Sequence, residues 1–241
     1  MNWIIPNWEA PARVIALSSI REGGVSQAPF TGLNLGHHVG DNPKHVALNR
    51  VALVKATKMP STPVWLNQVH GTDVLTLPYS NQPHPSADAV YTNTSHQVCA
   101  IMTADCLPVL LCNGSGTEVS AVHAGWKGLL SGVIENAIDK FSDKYGMMAW
   151  LGPAIGPQSF EVGDEVRDAF ISLDKNAKLA FIQTDTAWLA NLYQLARLRL
   201  KNKGVDQITG GEYCTYSDPE RFYSYRRDVT TGRQATCIWI E

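Results

Sequence analysis

A chain of 241 residues can bury a substantial core and is short enough to do so as one domain, so residues 1–241 are taken as a single unit. With 44% hydrophobic and 17% charged residues it reads as a folded globular protein, and a net charge of −2 with scattered Lys and Arg offers no footprint for nucleic acid. No window holds the roughly 20 apolar residues of a bilayer span, and the start M-N-W-I-I-P-N-W has neither the basic segment nor the apolar core of a signal peptide. The expectation is a cytoplasmic protein without a membrane partner. Five cysteines with no C-x-x-C pair then read as thiols, most of them small buried hydrophobes, with at least one open to a ligand or nucleophile role.

In chain order, residues 13–20 read as a strand, and the Gly-rich stretches 21–26 and 31–43 as long loops of the kind that carry binding surfaces. After Pro43 the apolar spacing predicts a helix ending near Lys58, with Val46, Leu48, Val51, Leu53 and Val54 turned inward. Residues 64–70 and 73–77 are expected as strands around a turn at Gly71, and 97–103 and 108–112 as strands around T-A-D-C-L. A strand over 118–124 runs directly into a helix whose face is Leu129, Leu130, Val133, Ile134, Ala137, Ile138 and Phe141. Further on come a strand opening into the Gly/Pro loop of 150–157, a short helix over 162–170 capped by Asp164, and a helix over 188–204 stopped by Gly204. Strand patterns close the chain at 207–211, 222–227 and 234–240. Strands occur both in groups and between helices, which predicts an α+β (mixed α/β) architecture with mixed β-sheets flanked by helices.

Three apolar runs break at metal-type residues: N-Q-V-H-G at His70, A-D-C-L-P at Cys106 and V-H-A-G-W at His123. One Cys and two His would suffice for a catalytic zinc site with an open fourth position. Each residue alone could equally be a packed or hydrogen-bonded core residue, and Cys106 with either His could be a nucleophile and base without metal. Asp105 could orient a ligating imidazole or carry a proton, or simply bond its own turn. Arg21, Lys127 and Arg226 are candidate anion contacts in loops, and Asn34 a candidate sugar or base contact. The aromatic and basic run of 213–227 could stack on a flat base or fill a core. The chain contains no G-x-x-x-x-G-K-[ST], no G-x-G-x-x-G after a strand, no H-E-x-x-H and no G-x-S-x-G. It also lacks the H-x-E and P-C-x-x-C of the zinc nucleobase deaminases.

In combination the phrases S-I-R-E-G-G-V-S, G-L-N-L-G-H-H-V-G-D-N-P, N-Q-V-H-G-T-D-V, A-D-A-V-Y-T, T-A-D-C-L-P-V-L-L, V-H-A-G-W-K-G, G-P-A-I-G-P-Q-S-F-E-V-G and Y-S-Y-R-R-D occur in an order that resembles the bacterial YfiH, or laccase-domain, family from about Arg13 onward. The resemblance implies zinc on His70, Cys106 and His123, and a mixed fold similar to that of certain cysteine-hydrolase toxins. It implies phosphate-dependent cleavage of purine nucleosides (adenosine, inosine, guanosine and 5'-methylthioadenosine) with adenosine deamination as a side activity. A role in peptidoglycan precursor editing is attached to some members. The partners implied are thus a small purine nucleoside and phosphate. The older label of the family, multicopper polyphenol oxidase, would require on the order of ten His with H-x-H pairs to hold its copper centres. The chain has seven His and no H-x-H. One copper in the zinc-type site remains open, as does a metal-free Cys/His hydrolase.

Overall fold

Alternation along the strands divides the apolar residues among three separate cores, and those cores fix the layers. In the computed structural model, which describes residues Met1–Glu241, one sheet runs β1 (Trp3–Ile4), β2 (Val14–Ser19), β13 (Gln234–Ile240), β5 (Cys99–Thr103). A second runs β12 (Gln207–Gly210), β8 (Met148–Leu151), β6 (Leu107–Cys112), β7 (Val119–Ala124), β4 (Ala89–Thr92), β3 (Val74–Leu77), antiparallel in the middle and parallel at both edges. Three short strands, β10 (Phe181–Gln183), β11 (Trp188–Ala190) and β9 (Glu161–Val162), make a third. The helices are α1 (Pro43–Thr57), α2 (Trp126–Ser131), α3 (Val133–Ile138), α4 (Asp164–Leu173), α5 (Leu192–Asn202) and α6 (Tyr225–Asp228).

On β6, Leu107, Val109 and Leu111 face one core with Leu129, Ile134 and Leu195 of the helices, while Leu110 and Cys112 face another with Ile238 and Ile240 of β13. On β13, Ala235, Cys237 and Trp239 point the other way, into a third core closed by Leu53 of α1. The period of two thus stacks α1, the four-stranded sheet, the six-stranded sheet and the α2/α3/α5 helices as four layers. Strands buried on both faces are close to continuously apolar, as in β6, while β7 admits Ser120 and His123, each satisfied by a hydrogen bond. Burying each such Leu or Ile contributes roughly 1.5–3 kcal/mol relative to exposure.

The structure departs from the sequence expectations where polar side chains decide. In α1, Leu48 and Val51 are exposed and Asn49 is buried. Its amide accepts from Val25 N at 2.8 Å and donates to Ser26 Oγ and the Asn34 carbonyl at 2.9 Å, tying the 21–36 loops to the helix. Residues 64–70 form no strand beyond a bridge between Asn67 and Ser86, and β3 pairs in parallel with β4 instead of closing a hairpin. The helix over 188–204 is shorter than its apolar pattern. Trp188–Ala190 is strand β11, and Asn191 starts α5 by accepting from Gln194 N at 3.0 Å. Asp164 caps nothing: the N-cap of α4 is Gly163, and Asp164 instead accepts from Trp188 Nε1 at 2.7 Å. The helix after His123 breaks into α2 and α3 at Gly132, whose φ of 97° is left-handed. The strand expected at 222–227 is a chain turn into α6, capped by Ser224.

Candidate metal centre and active site

Cys106 lies in the turn from β5 to β6, the point where the chain crosses from the four-stranded to the six-stranded sheet. His123 is on β7, opposite Pro108 of β6. His70 occupies the loop before β3 with a φ of 60°. The ligand atoms of the three all lie within 4.8 Å of one another. Cys106 Sγ is 3.7 Å from His70 Nε2, and the two imidazoles meet edge to face with centroids 4.8 Å apart. His123 is buried, Cys106 half-buried and His70 exposed, so the group sits at the end of a buried sheet and opens on one side.

The carboxylate that organises it is Asp88, a residue the sequence reading missed. Asp88 is fully buried just ahead of β4. Its Oδ1 accepts His123 Nδ1 at 2.8 Å and His70 N at 2.9 Å, and its Oδ2 accepts Gly71 N at 2.7 Å and Val69 N at 3.2 Å. One side chain therefore fixes the orientation of one imidazole and the backbone of the loop carrying the other. The sequence signal was a lone Asp opening the apolar strand A-D-A-V-Y-T. The role considered for Asp105 is corrected accordingly. Its carboxylate accepts from Thr215 Oγ1 at 2.6 Å, Ser224 Oγ at 3.0 Å and Arg226 N at 2.6 Å, and so anchors the C-terminal loops to the Cys106 turn, with no bond to either imidazole.

These contacts set the charges. Burial raises the Asp88 pKa, but the hydrogen bond and charge of His123 with the N–H groups of Gly71 and Val69 outweigh it and hold the carboxyl below its usual range. Burial would likewise raise the Cys106 thiol, yet the His123 charge and hydrogen bonds from His123 and His70 bring it down to about 6. His123 is pushed down by burial and up by Cys106 and Asp88, ending at about 9. Both shifts favour thiolate and imidazolium over the neutral pair, and a metal ion entering the group would displace the proton on His123 Nε2.

Space is equally constrained. A Cβ on Gly125 would come within 2.8 Å of His70 Cδ2 and 3.0 Å of Cys106 Sγ, so only glycine lets α2 begin this close to the group. Two cavities meet at the group. The outer one, of about 370 Å³, is walled by Trp126, Ile155, Phe160 and Tyr225 with Lys127 and Arg226. The inner one, of about 330 Å³, is walled by His38, Thr103, His123 and Arg233 among others. His70, Ala104, Cys106 and Tyr225 line both.

Of the other residues singled out from the sequence, Lys127 and Arg226 reach the outer cavity. Arg226 donates to the Glu161 carbonyl at 3.0 Å and lies over the Phe160 ring. Arg21 and Asn34 do not reach either cavity. Arg21 donates to the Pro219 and Thr31 carbonyls and stacks on Tyr223. Asn34 is buried with its amide occupied by Gly36, Asp41 and Arg233 N. Both are loop-building residues. In the aromatic run, Phe222 and Tyr223 fill the core and Tyr225 alone faces the site.

The donor set fits a metal ion. Asp88 occupies Nδ1 of His123 and leaves Nε2 free, the thiol ionises readily, and the exposed side of His70 leaves a position for substrate. This is the one group of three His, Cys, Asp or Glu side chains in the chain that converges closely enough to hold an ion.

Residues 15–241 match the family described as multi-copper polyphenol oxidoreductase laccase. A protein of Shigella flexneri named purine nucleoside phosphorylase YfiH is 58% identical over 98% of both chains. A Haemophilus influenzae protein named purine nucleoside phosphorylase is 52% identical over the full length of both. Among solved structures, that of a Neisseria meningitidis protein superimposes over both whole chains with a TM-score of 0.94 at 45% identity. A full-length match in sequence and in fold, with the His, Cys and His motifs converging on one point, means that the chain belongs to the YfiH, or laccase-domain, family.

Proposed function

We propose that the protein is a zinc-dependent purine nucleoside phosphorylase that cleaves adenosine, with inosine, guanosine and 5'-methylthioadenosine as further substrates and adenosine deamination as a side activity. The observation that carries this reading is a three-ligand His/Cys/His group standing where an aromatic cavity and a polar cavity meet. Relatives named purine nucleoside phosphorylase, spanning the whole chain, support it. A mixed nitrogen and sulfur set with an open position suits zinc, and copper is the competitor that such ligands would also bind. A bound zinc ion supplies Lewis acidity and a template for oxygen ligands.

The chain's own residues do the rest. Trp126, Phe160 and Tyr225 offer flat apolar walls for a purine, and Arg226 and Lys127 place positive charge at its rim, where electron density collects on a departing base. Asp88 holds His123 in one tautomer and His70 at one height, so the reacting groups meet in a fixed geometry. Asp105 binds the segment bearing Arg226 to the Cys106 turn and keeps the outer wall in place.

Adenosine incubated with the purified protein should give adenine and ribose 1-phosphate only when phosphate is present, with about one zinc per chain on ligand count. Cys106→Ala should lose metal and turnover together; retention of both sinks the site assignment. A second reading is a cysteine hydrolase, favoured by the Cys106, His123, Asp88 line of hydrogen-bonded groups with its ionised thiol. Turnover that survives complete chelation of metal would establish that reading in place of the first.

A further inference from the structure

The inner cavity contains polar groups that the fold leaves without partners. Thr103 is 2% exposed, and its Oγ1 has no hydrogen-bond partner in the protein. Buried hydroxyls are nearly always paired, so this one is an exception in the wall, but it has no accessible surface of its own and offers the cavity no donor. Arg233 faces the same space. Its Nη1 is fixed by the carbonyls of Thr231 and Gly232 at 3.0 and 2.9 Å, while Nε and Nη2 make no bond within the chain. The guanidinium is thus held by backbone on one side and presents an unused fork on the other. No Asp or Glu lines this cavity, whereas the outer one includes Asp105. Gln68, the remaining amide on the wall, is occupied in both directions by the backbone of Met102 at 2.7 Å. Arg233 is therefore the free cationic group on this wall, beside His38.

We propose that the inner cavity is the oxyanion subsite, in which the fork of Arg233 holds inorganic phosphate against the Cys106 and His70 edge while the purine lies in the outer cavity. This rests on the phosphorylase reading and assigns the two cavities to the two substrates. Planar guanidinium forks match phosphate oxygens in pairs, which a lone surface lysine such as Lys127 does not. The sugar then spans the shared boundary at Ala104 and Tyr225, with C1' between the two ligands. An oxygen of hydrogen phosphate forms the new bond to C1' as the C1'–N9 bond breaks. The bonding pair leaves with the purine, and the phosphate proton ends on the base, so ribose 1-phosphate and free purine balance the step. The anion contacts expected from sequence at Arg21, Lys127 and Arg226 are thereby replaced by a residue from the loop before β13.

Two measurements on the metal-loaded, full-length protein test this. In steady-state kinetics, Arg233→Gln should raise the KM for phosphate by about 10- to 100-fold, the loss expected for charge-assisted hydrogen bonds. The KM for adenosine should move less than about twofold and metal content should not change. Arg233→Lys should fall between wild type and Gln. An unchanged phosphate KM in Arg233→Gln, or a rise confined to adenosine, overturns the assignment. Calorimetric titration of inorganic phosphate into wild type and Arg233→Gln gives an answer that does not depend on turnover. Binding to wild type that is lost in the variant supports the subsite even if no phosphorolysis occurs, in which case only the phosphorylase reading falls. Equal binding to both, or none to wild type, overturns the subsite itself.

Discussion

Asp88 accepts four hydrogen bonds, one from the His123 imidazole and three from the backbone around His70, and its replacement shows what that arrangement does. In Asp88→Asn one amide N–H must face an N–H of Val69, His70 or Gly71, and the acceptor for His123 is weakened. Metal affinity should fall by about 10- to 100-fold, read by competition with a chelator of known strength. The thiol gives a second prediction. The Cys106 pKa of about 6 lies below the ordinary 9.0, so the contribution of the thiolate is present above that ordinary value and is lost as pH falls through about 6. The His123 value of about 9 lies above the ordinary 6.5, so the contribution of its charge is complete below that value and is lost as pH rises through about 9. The ion pair is confined to the interval between. In metal-stripped protein, alkylation of Cys106 followed by peptide mass spectrometry should be half-maximal near pH 6; a midpoint near 9 would contradict the pairing. At this scale the convergence of His70, Cys106 and His123 was legible in the sequence because each interrupts an apolar run. Asp88 and Arg233 were not, since nothing local distinguishes a carboxylate that binds a loop 18 residues away or an arginine whose fork faces a cavity.

Element boundaries obeyed hydrogen bonds more than apolar spacing. The apolar count of α1 placed Leu48 and Val51 inward, and the structure turns the helix so that Asn49 points in. Asn49→Ala should lower the unfolding free energy by about 2–4 kcal/mol in urea titrations, because several buried partners lose their bonds at once. The same logic explains α5, whose apolar pattern begins at Trp188 but whose first turn waits for the side chain of Asn191. Among the strands, β5, β6, β7 and β13 were legible because they are buried on both faces and mostly apolar, whereas the strands expected at 64–70 and 222–227 did not form. At the start of α2, Gly125→Ala should leave the fold near intact while a methyl group displaces His70 and Cys106. Loss of metal binding with an unchanged circular dichroism spectrum is the expected signature.

Across the whole molecule, chain order and spatial order part company. The last strand, β13, lies inside the four-stranded sheet between β2 and β5, so residues nearly the full length of the chain apart complete one layer. Hydrophobic patterning reports which strands are buried and carries no information on which strands are neighbours, so this order could not be read in advance. Removing Gln234–Ile240 should abolish cooperative unfolding, since β2 and β5 then lose their shared partner and two cores lose a wall. The turn at Cys106 has a further consequence. It leads from one sheet to the other, and the imidazoles that meet its sulfur come from β7 and from the loop ahead of β3. An ion held there would cross-brace the two sheets like a strut, and the folded state would be favoured in proportion to the logarithm of the free metal concentration. At a thousandfold excess over the dissociation constant this linkage amounts to about 4 kcal/mol, or roughly 10 °C in melting temperature for a chain of this size. A protein whose bound ion also braced its frame would report metal starvation first as lost thermal endurance.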